Sequence, residues 1–304
     1  TNLKMKLSDH IDQIRSLIYK SFDNQFLRLG IGKKSLSEKS GIDIELMSSR
    51  YKVVEVLQSY LEQEDYADAR EKALEEFTFT LFNRLSAVKV MEAIQLFPPI
   101  LTKEAEHGDR SFGHKIWLEE HPDMRKKDLE GIVDYIRYEF DELGKSIPLF
   151  SSTYPYDLFP YVIELNEIID AINKIEKDEN ISASIWSSDD ILGWLYESYN
   201  NYKKIAHKES KKKTEYHKVS IQSQVYTPRW VVEFLVHNSL GKLYMEMYPD
   251  SEIGTNYQIA NIPNKRIRDE KPLHELKLID PASGSGNFLL YAFDFFYALY
   301  EDQI

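Results

Sequence analysis

The chain has 304 residues, 42% of them hydrophobic, with 50 acidic against 38 basic side chains and a formal net charge of −12. That length suits about two domains, and the acidic balance excludes a chain coated with nucleic-acid-binding surface, since phosphate affinity comes from clustered Lys and Arg. No cysteine is present, which excludes disulfides, thiolate metal sites and cysteine nucleophiles. No apolar run approaches the roughly 20 residues of a bilayer crossing, and the polar start TNLKMKLSDH does not resemble a signal peptide. The expectation is a cytoplasmic protein with no membrane partner, and the missing initiator methionine suggests an excised piece.

Residues 1 to 200 read as successive helices, without a fixed-period repeat. Ser8 and Asp9 are candidate caps for a first helix ending near Gly30. A second helix is expected within SGIDIELMSSRYKVVEVLQSYLEQ. A third runs from Tyr66 toward Phe97 and is stopped by Pro98 and Pro99. Between His121-Pro122-Asp123 and Gly144, the apolar residues Leu129, Ile132, Val133, Ile136, Phe140 and Leu143 recur at the spacing of one buried helical stripe. Gly144 is expected to close that helix in a left-handed conformation. A further helix covers YDLFPYVIELNEIIDAINKIEK with Pro160 in its first turn. Ser187 or Ser188 then caps a helix beginning with Asp189 and Asp190.

Composition shifts at KKIAHKESKKKTEYHK, residues 203–218, where lysines crowd and apolar residues nearly vanish. This predicts a solvated basic linker over 201–220, or a loop that meets DNA phosphates, and one segment can serve as both. Beyond it, LHELKLID reads as a buried strand and NFLLYAFDFFYALYEDQ as a helix. Phe288, Leu289, Ala292, Phe293, Phe296 and Leu299 form the helix's expected apolar face. Strand, glycine turn and helix together open a doubly wound α/β sheet.

A glycine turn at this place lets backbone approach a ligand without an intruding Cβ, and the helix start presents free N–H groups. Gly284 and Gly286 lack the third glycine of a dinucleotide fingerprint, and no Gly-Lys-Ser/Thr follows, so a Walker phosphate loop is excluded. Asp280 places a carboxylate before the turn, which repels a pyrophosphate and suits a ligand offering cationic or hydroxyl donors.

The string DPASGSGNFLL resembles the first motif of the adenine-specific amino DNA methyltransferases, with Ser283 where cysteine is common. The resemblance implies S-adenosyl-L-methionine as cofactor, bound across Asp280, Pro281, Ala282, Ser283, Gly284, Ser285, Gly286, Asn287 and Phe288, with Asp280 near the methionine amino group. QVYTPRWVVEFLV resembles the motif that precedes the strand in that family, and places Tyr226, Thr227 and Pro228 at the methionine end of the cofactor. Helix-start chemistry is the alternative for this stretch, with Thr227 as cap and Pro228 as first helical residue. FTFTLFNRLSAVKVMEA and DDILGWLYESYNNYKK resemble stretches of the PglX-type methyltransferases of bacterial BREX and Pgl phage-defence systems. Asn83 and Arg84 within the first of them read as a buried polar anchor between helices rather than as part of a binding site.

The fold so implied is mainly α. A helical domain (1–200) and a linker (201–220) precede the first part of a Rossmann-like methyltransferase domain (221–304). Its partners would be double-stranded DNA and other proteins of a defence complex. A methyltransferase of a type I or type IIG restriction-modification system, or a non-catalytic helical interaction module, are the alternatives. Methyl transfer to adenine needs an Asn/Asp-Pro-Pro-aromatic element that binds the flipped base. The lone Pro98-Pro99 lies far upstream of the turn between Phe97 and Ile100, so it is not that element, and no catalytic residue is assigned. Glu301 and Asp302 are expected to continue the helix rather than hold a ribose from a second strand. The expectation is a fragment without methyltransferase activity of its own, checked by labelled-methyl transfer to DNA. Its last helix should leave an apolar face for self-association or another chain.

Overall fold

The computed structural model describes residues 2–209, 226–284 and 286–304. It is mainly helical, and the chain divides into two compact units, Thr1–Ile191 and Leu192–Ile304. No helix among the described residues is long and apolar enough to cross a membrane.

The first unit is built on α1 (Asn2–Arg28), α2 (Met47–Leu61), α3 (Tyr66–Ala93) and α6 (Val162–Lys177). Along α1, Ile11, Ile14, Ile18, Phe22 and Phe26 recur every three or four residues and are fully buried, facing α3 and α6. Helix α3 is buried on several sides, with Ala73, Phe77, Thr78, Leu81, Leu85 and Val88 all shielded, because α1 and α2 pack on it from different directions. Asp65 starts it by accepting the Asp68 backbone N–H at 3.0 Å. A two-residue hairpin, β1 (Lys103–Glu104) with β2 (Arg110–Ser111), leads into α4 (Phe112–Glu120). Beside an isolated bridge between Ile31 and Leu36, this hairpin is the strand pairing among the described residues. Helix α5 (Ile132–Gly144) then precedes α6.

Several expected boundaries move. Ser8 and Asp9 lie inside α1, because helix-compatible residues precede them and a capping residue need not cap. The stripe expected from Leu129 begins instead at Ile132. Leu129 and Glu130 adopt left-handed angles (φ 45° and 53°) in a 3₁₀ segment before it. Gly144 is not left-handed; a Cβ there would meet the Ser151 backbone at 3.0 Å, so its absence lets the 150–151 turn close over the helix end. Pro160 precedes α6 rather than joining its first turn, since the residue before a proline avoids helical angles. Asp189 and Asp190 likewise precede α7 (Ile191–Glu209).

The second unit begins inside α7. Residues 201–209 are therefore the end of that helix and not linker, as the helix propensity of lysine and glutamate permits. The rest of the expected basic segment lies outside the described residues. Helix α8 (Arg229–Val236) passes through a π-turn (His237–Gly241) into α9 (Lys242–Met247), followed by a short α10 (Ile253–Asn256) and α11 (Asn287–Asp302). Val232, Val236, Leu240 and Tyr244 form a core with Tyr291, Ala292, Phe295 and Leu299 of α11. Burying a side chain such as Phe295 contributes about 1.5–3 kcal/mol.

One sequence expectation fails here and a second holds in part. LHELKLID is not a paired strand: Leu273–Glu275 is a 3₁₀ turn, and residues 276–280 have no ladder among the described residues. Extended backbone becomes a strand only when a neighbour takes up its N–H and C=O groups. The buried side of α11 matches the expected one only in part. Ala292 and Leu299 are buried and Phe288 and Phe296 pack against the core as expected. Tyr291 and Phe295 join them, and Leu289 and Phe293 are instead 42% and 70% exposed.

Candidate functional site

The glycine turn is shaped by its own backbone. Asp280 Oδ1 accepts the Ala282 N–H at 3.0 Å, a local side-chain turn that starts the reversal. The Gly286 N–H then donates to the Ser283 carbonyl at 2.7 Å. Gly284 (φ +51°) and Gly286 (φ +81°) both occupy the left-handed region, where a Cβ costs roughly 1–2 kcal/mol. Space is not the reason for these glycines, since a Cβ at Gly286 would meet nothing within 4 Å. Gly286 is the N-cap of α11 and has no side chain to satisfy the helix's first N–H groups. Pro281, Ala282, Ser283 and Gly284 are exposed, and Phe288 is half-buried. Ser285 lies outside the described residues.

Two features of this turn point toward a ligand. Asp280 Oδ2 is buried and has no hydrogen-bond partner, which is costly for a carboxylate oxygen unless a donor reaches it. Asn287, the first residue of α11, donates its Nδ2 to the Thr227 carbonyl at 2.9 Å. That bond joins the DPASGSGN turn to the Tyr226-Thr227-Pro228 stretch across 60 residues of sequence. Pro228 is the N-cap of α8 and Thr227 stands outside the helix, so the expected roles of cap and first helical residue each shift by one position.

Behind the turn, α8 and α11 are tied by polar side chains. The Arg229 guanidinium lies 4.5 Å above the Tyr291 ring and pairs with Glu233 at 3.1 Å. The Tyr291 hydroxyl is hydrogen-bonded to His237 Nε2. Burial lowers the His237 pKa below the ordinary histidine value of 6.5, so the imidazole is neutral at pH 7. Its Nδ1 is buried without a partner. His237 opens the π-turn, a distortion frequent near functional sites, and nothing in the sequence pattern distinguished it. Glu301 and Asp302 are in the last turn of α11, as expected, and Asp302 accepts from Tyr244 and Ser251 hydroxyls at 2.6 Å each.

Gly193 is the further residue that sequence reasoning passed over. It sits in the first turn of α7, and a Cβ built on it would overlap the Tyr226 ring. The glycine of GWLYE is thus the seat of the tyrosine in QVYTP. Helix propensity favours alanine there by about 1 kcal/mol, so Gly193→Ala should stabilise unless Tyr226 must stay seated. We expect Gly193→Ala to cost about 1–3 kcal/mol by overpacking. In a Tyr226→Ala background the same change should become stabilising. Urea unfolding of the four proteins of this cycle checks it, and an unchanged sign in the two backgrounds would contradict the seat.

No family model matches the chain. It is similar to the adenine-specific methyltransferase PglX of Lacticaseibacillus casei (strain Zhang), with 28% identity over an alignment of 348 residues that covers 96% of this chain and 29% of that protein. It is also similar to the adenine-specific methyltransferase BrxX of Escherichia coli O9:H4 (strain HS), 27% identical over 273 residues, covering 77% of this chain and 21% of that protein. The chain is therefore a relative of PglX/BrxX-type methyltransferases and spans less than a third of the length of either.

Proposed function

We propose that the chain supplies the cofactor turn and the leading helical domain of an S-adenosyl-L-methionine-dependent, adenine-specific DNA methyltransferase of BREX-type phage defence. The observation that carries this reading is the Asn287–Thr227 hydrogen bond, which unites two separately resembling motifs in one site. The unpartnered Asp280 Oδ2 fits the cofactor's ammonium group. Gly284 and Gly286 carry no side chain, and a Cβ at Gly286 would stand in open space, which leaves room for a ligand beside it. Tyr226, held on Gly193, and Thr227, held by Asn287, would form the opposite wall at the methionine end. When bound, the cofactor supplies an electrophilic methyl group on a sulfonium.

A Rossmann-like core is supported by what stands exposed around the turn. Ile279 is 84% exposed at the end of an extended, unpaired segment, and Phe293 and Tyr297 are exposed on the outer side of α11. Neighbouring strands and their helices would cover these groups. The amino-group-binding motif is not among these residues, so the chain alone contributes cofactor binding and not recognition of adenine. DNA, and the other proteins of a defence complex, would be engaged by the whole protein.

Calorimetric titration with S-adenosyl-L-methionine tests the reading. Saturable one-to-one binding, displaced by S-adenosylhomocysteine, is expected. No saturable heat up to millimolar cofactor would overturn it in favour of a non-catalytic interaction module.

A further inference from the structure

The helical unit contains an open cleft of about 670 Å³ between β1–β2, the start of α4, the turn before α5 and the second half of α6. Five non-glycine residues among those described have positive φ, and three of them, Asp109, Leu129 and Glu130, line this cleft. Each costs roughly 1–3 kcal/mol, and such strain concentrates at ligand sites and switch regions. The two strained loops are fastened to each other. Arg110 Nε donates to the Glu130 carboxylate, and His114 Nε2 is hydrogen-bonded to the Glu130 carbonyl at 2.9 Å. Leu129 gains little from this in the free protein, because its side chain remains 48% exposed over the cleft.

The charges of the cleft fall into two sets. Lys103 is committed to Asp170 at 2.7 Å and to Asn166 at 2.6 Å, and Arg110 to Glu130. Lys174 and Lys177, one turn apart at the end of α6, also line the cleft, are exposed, and have no hydrogen bond or ion pair among the described residues. The helix dipole accounts for lysines in a last turn, but not for two unpaired ones on the same side as the strained loops. On a chain of net charge −12, two lysines in one cleft suit a single small anion better than a polynucleotide, whose affinity needs many cations in a row.

We propose that the cleft binds a free nucleotide. Its phosphates would lie on Lys174 and Lys177, its base against the exposed Leu129 side chain, and its ribose hydroxyls within reach of the Asp109 carboxylate. A volume of about 670 Å³ lies within the usual range of ligand pockets. The proposal does not rest on the methyltransferase reading, because every residue in it belongs to the other unit.

The test is titration of the full chain with ATP and, separately, inorganic pyrophosphate, in excess S-adenosylhomocysteine so that the cofactor turn takes no adenosine. Saturable binding of both is expected, with at least a tenfold loss in the Lys174→Ala/Lys177→Ala double variant. Both lysines are exposed and unpaired, so that variant should fold as the wild type does. Leu129→Gly should relieve the backbone strain, raise stability, and weaken ATP while leaving pyrophosphate unchanged. Absence of binding at millimolar ATP, or binding that ignores the lysines, would overturn the proposal. So would a short DNA duplex that binds through these lysines where ATP does not.

Discussion

Asp280→Ala is expected to lower S-adenosyl-L-methionine affinity about 10- to 100-fold without lowering the stability of the fold. A hydrogen bond to a charged partner is worth about 1.5–3 kcal/mol, and each 1.4 kcal/mol is a factor of about ten in affinity. Stability should hold because two effects oppose each other. Alanine loses the Asp280–Ala282 turn bond of 3.0 Å, but also removes a carboxylate oxygen that is buried without a partner. Asp280→Asn separates the parts of the argument. It keeps an acceptor for the Ala282 N–H and discards the charge. Calorimetry and thermal unfolding of both variants are the measurements. An asparagine variant that binds as the wild type does would remove the carboxylate from the site, whatever the alanine variant showed.

The second large effect belongs to the other unit. Arg84→Ala is expected to destabilise it by about 3–5 kcal/mol, the usual cost of breaking a buried ion pair from one side. Arg84 is fully buried. Its Nε donates to the Leu149 carbonyl at 2.7 Å, its Nη2 to the Ser151 carbonyl at 3.2 Å, and its Nη1 to Asp157. The guanidinium also lies 5.7 Å from the Phe140 and Tyr154 rings. Truncation leaves two partly buried carbonyls and one carboxylate oxygen short of donors. Lys52 remains 3.0 Å from the other Asp157 oxygen, which places the expected loss toward the lower end. Arg84→Lys should recover only part of it, because an ammonium cannot serve three divergent acceptors with a planar fork. Urea unfolding followed by circular dichroism is the check, and a loss below about 1 kcal/mol would show that Arg84 does not anchor the 149–157 segment.

Arg84 also shows where a sequence stops being informative. Its place in an apolar helical stretch marked it as a polar anchor between helices, but its acceptors lie 65 to 73 residues away. No local pattern names them. Gly193 is similar. A glycine in a helix reads as a weakness until the Tyr226 ring is seen to lie where its side chain would be. Leu129 fitted the apolar spacing of α5, yet tertiary contacts of the next residue, Glu130, with Arg110 and His114 pull the chain out of the helix there.

By itself, the sequence determined the helical character of the first 200 residues, because apolar periodicity and the punctuation by glycine and proline act over a few residues. It also determined the glycine turn and its likeness to the adenine methyltransferases, since DPASGSGNFLL is contiguous and its positive-φ requirement is local. Tertiary structure alone decided three things. Residues 276–280 remain an extended segment unpaired among the described residues, because a strand exists only through its neighbour's hydrogen bonds. The inward side of α11 is set by α8 and α9, since an almost wholly apolar helix offers several faces and packing selects one. The meeting of Asn287 with Thr227 is the third, because a hydrogen bond between residues 60 apart is made by the fold that brings them together.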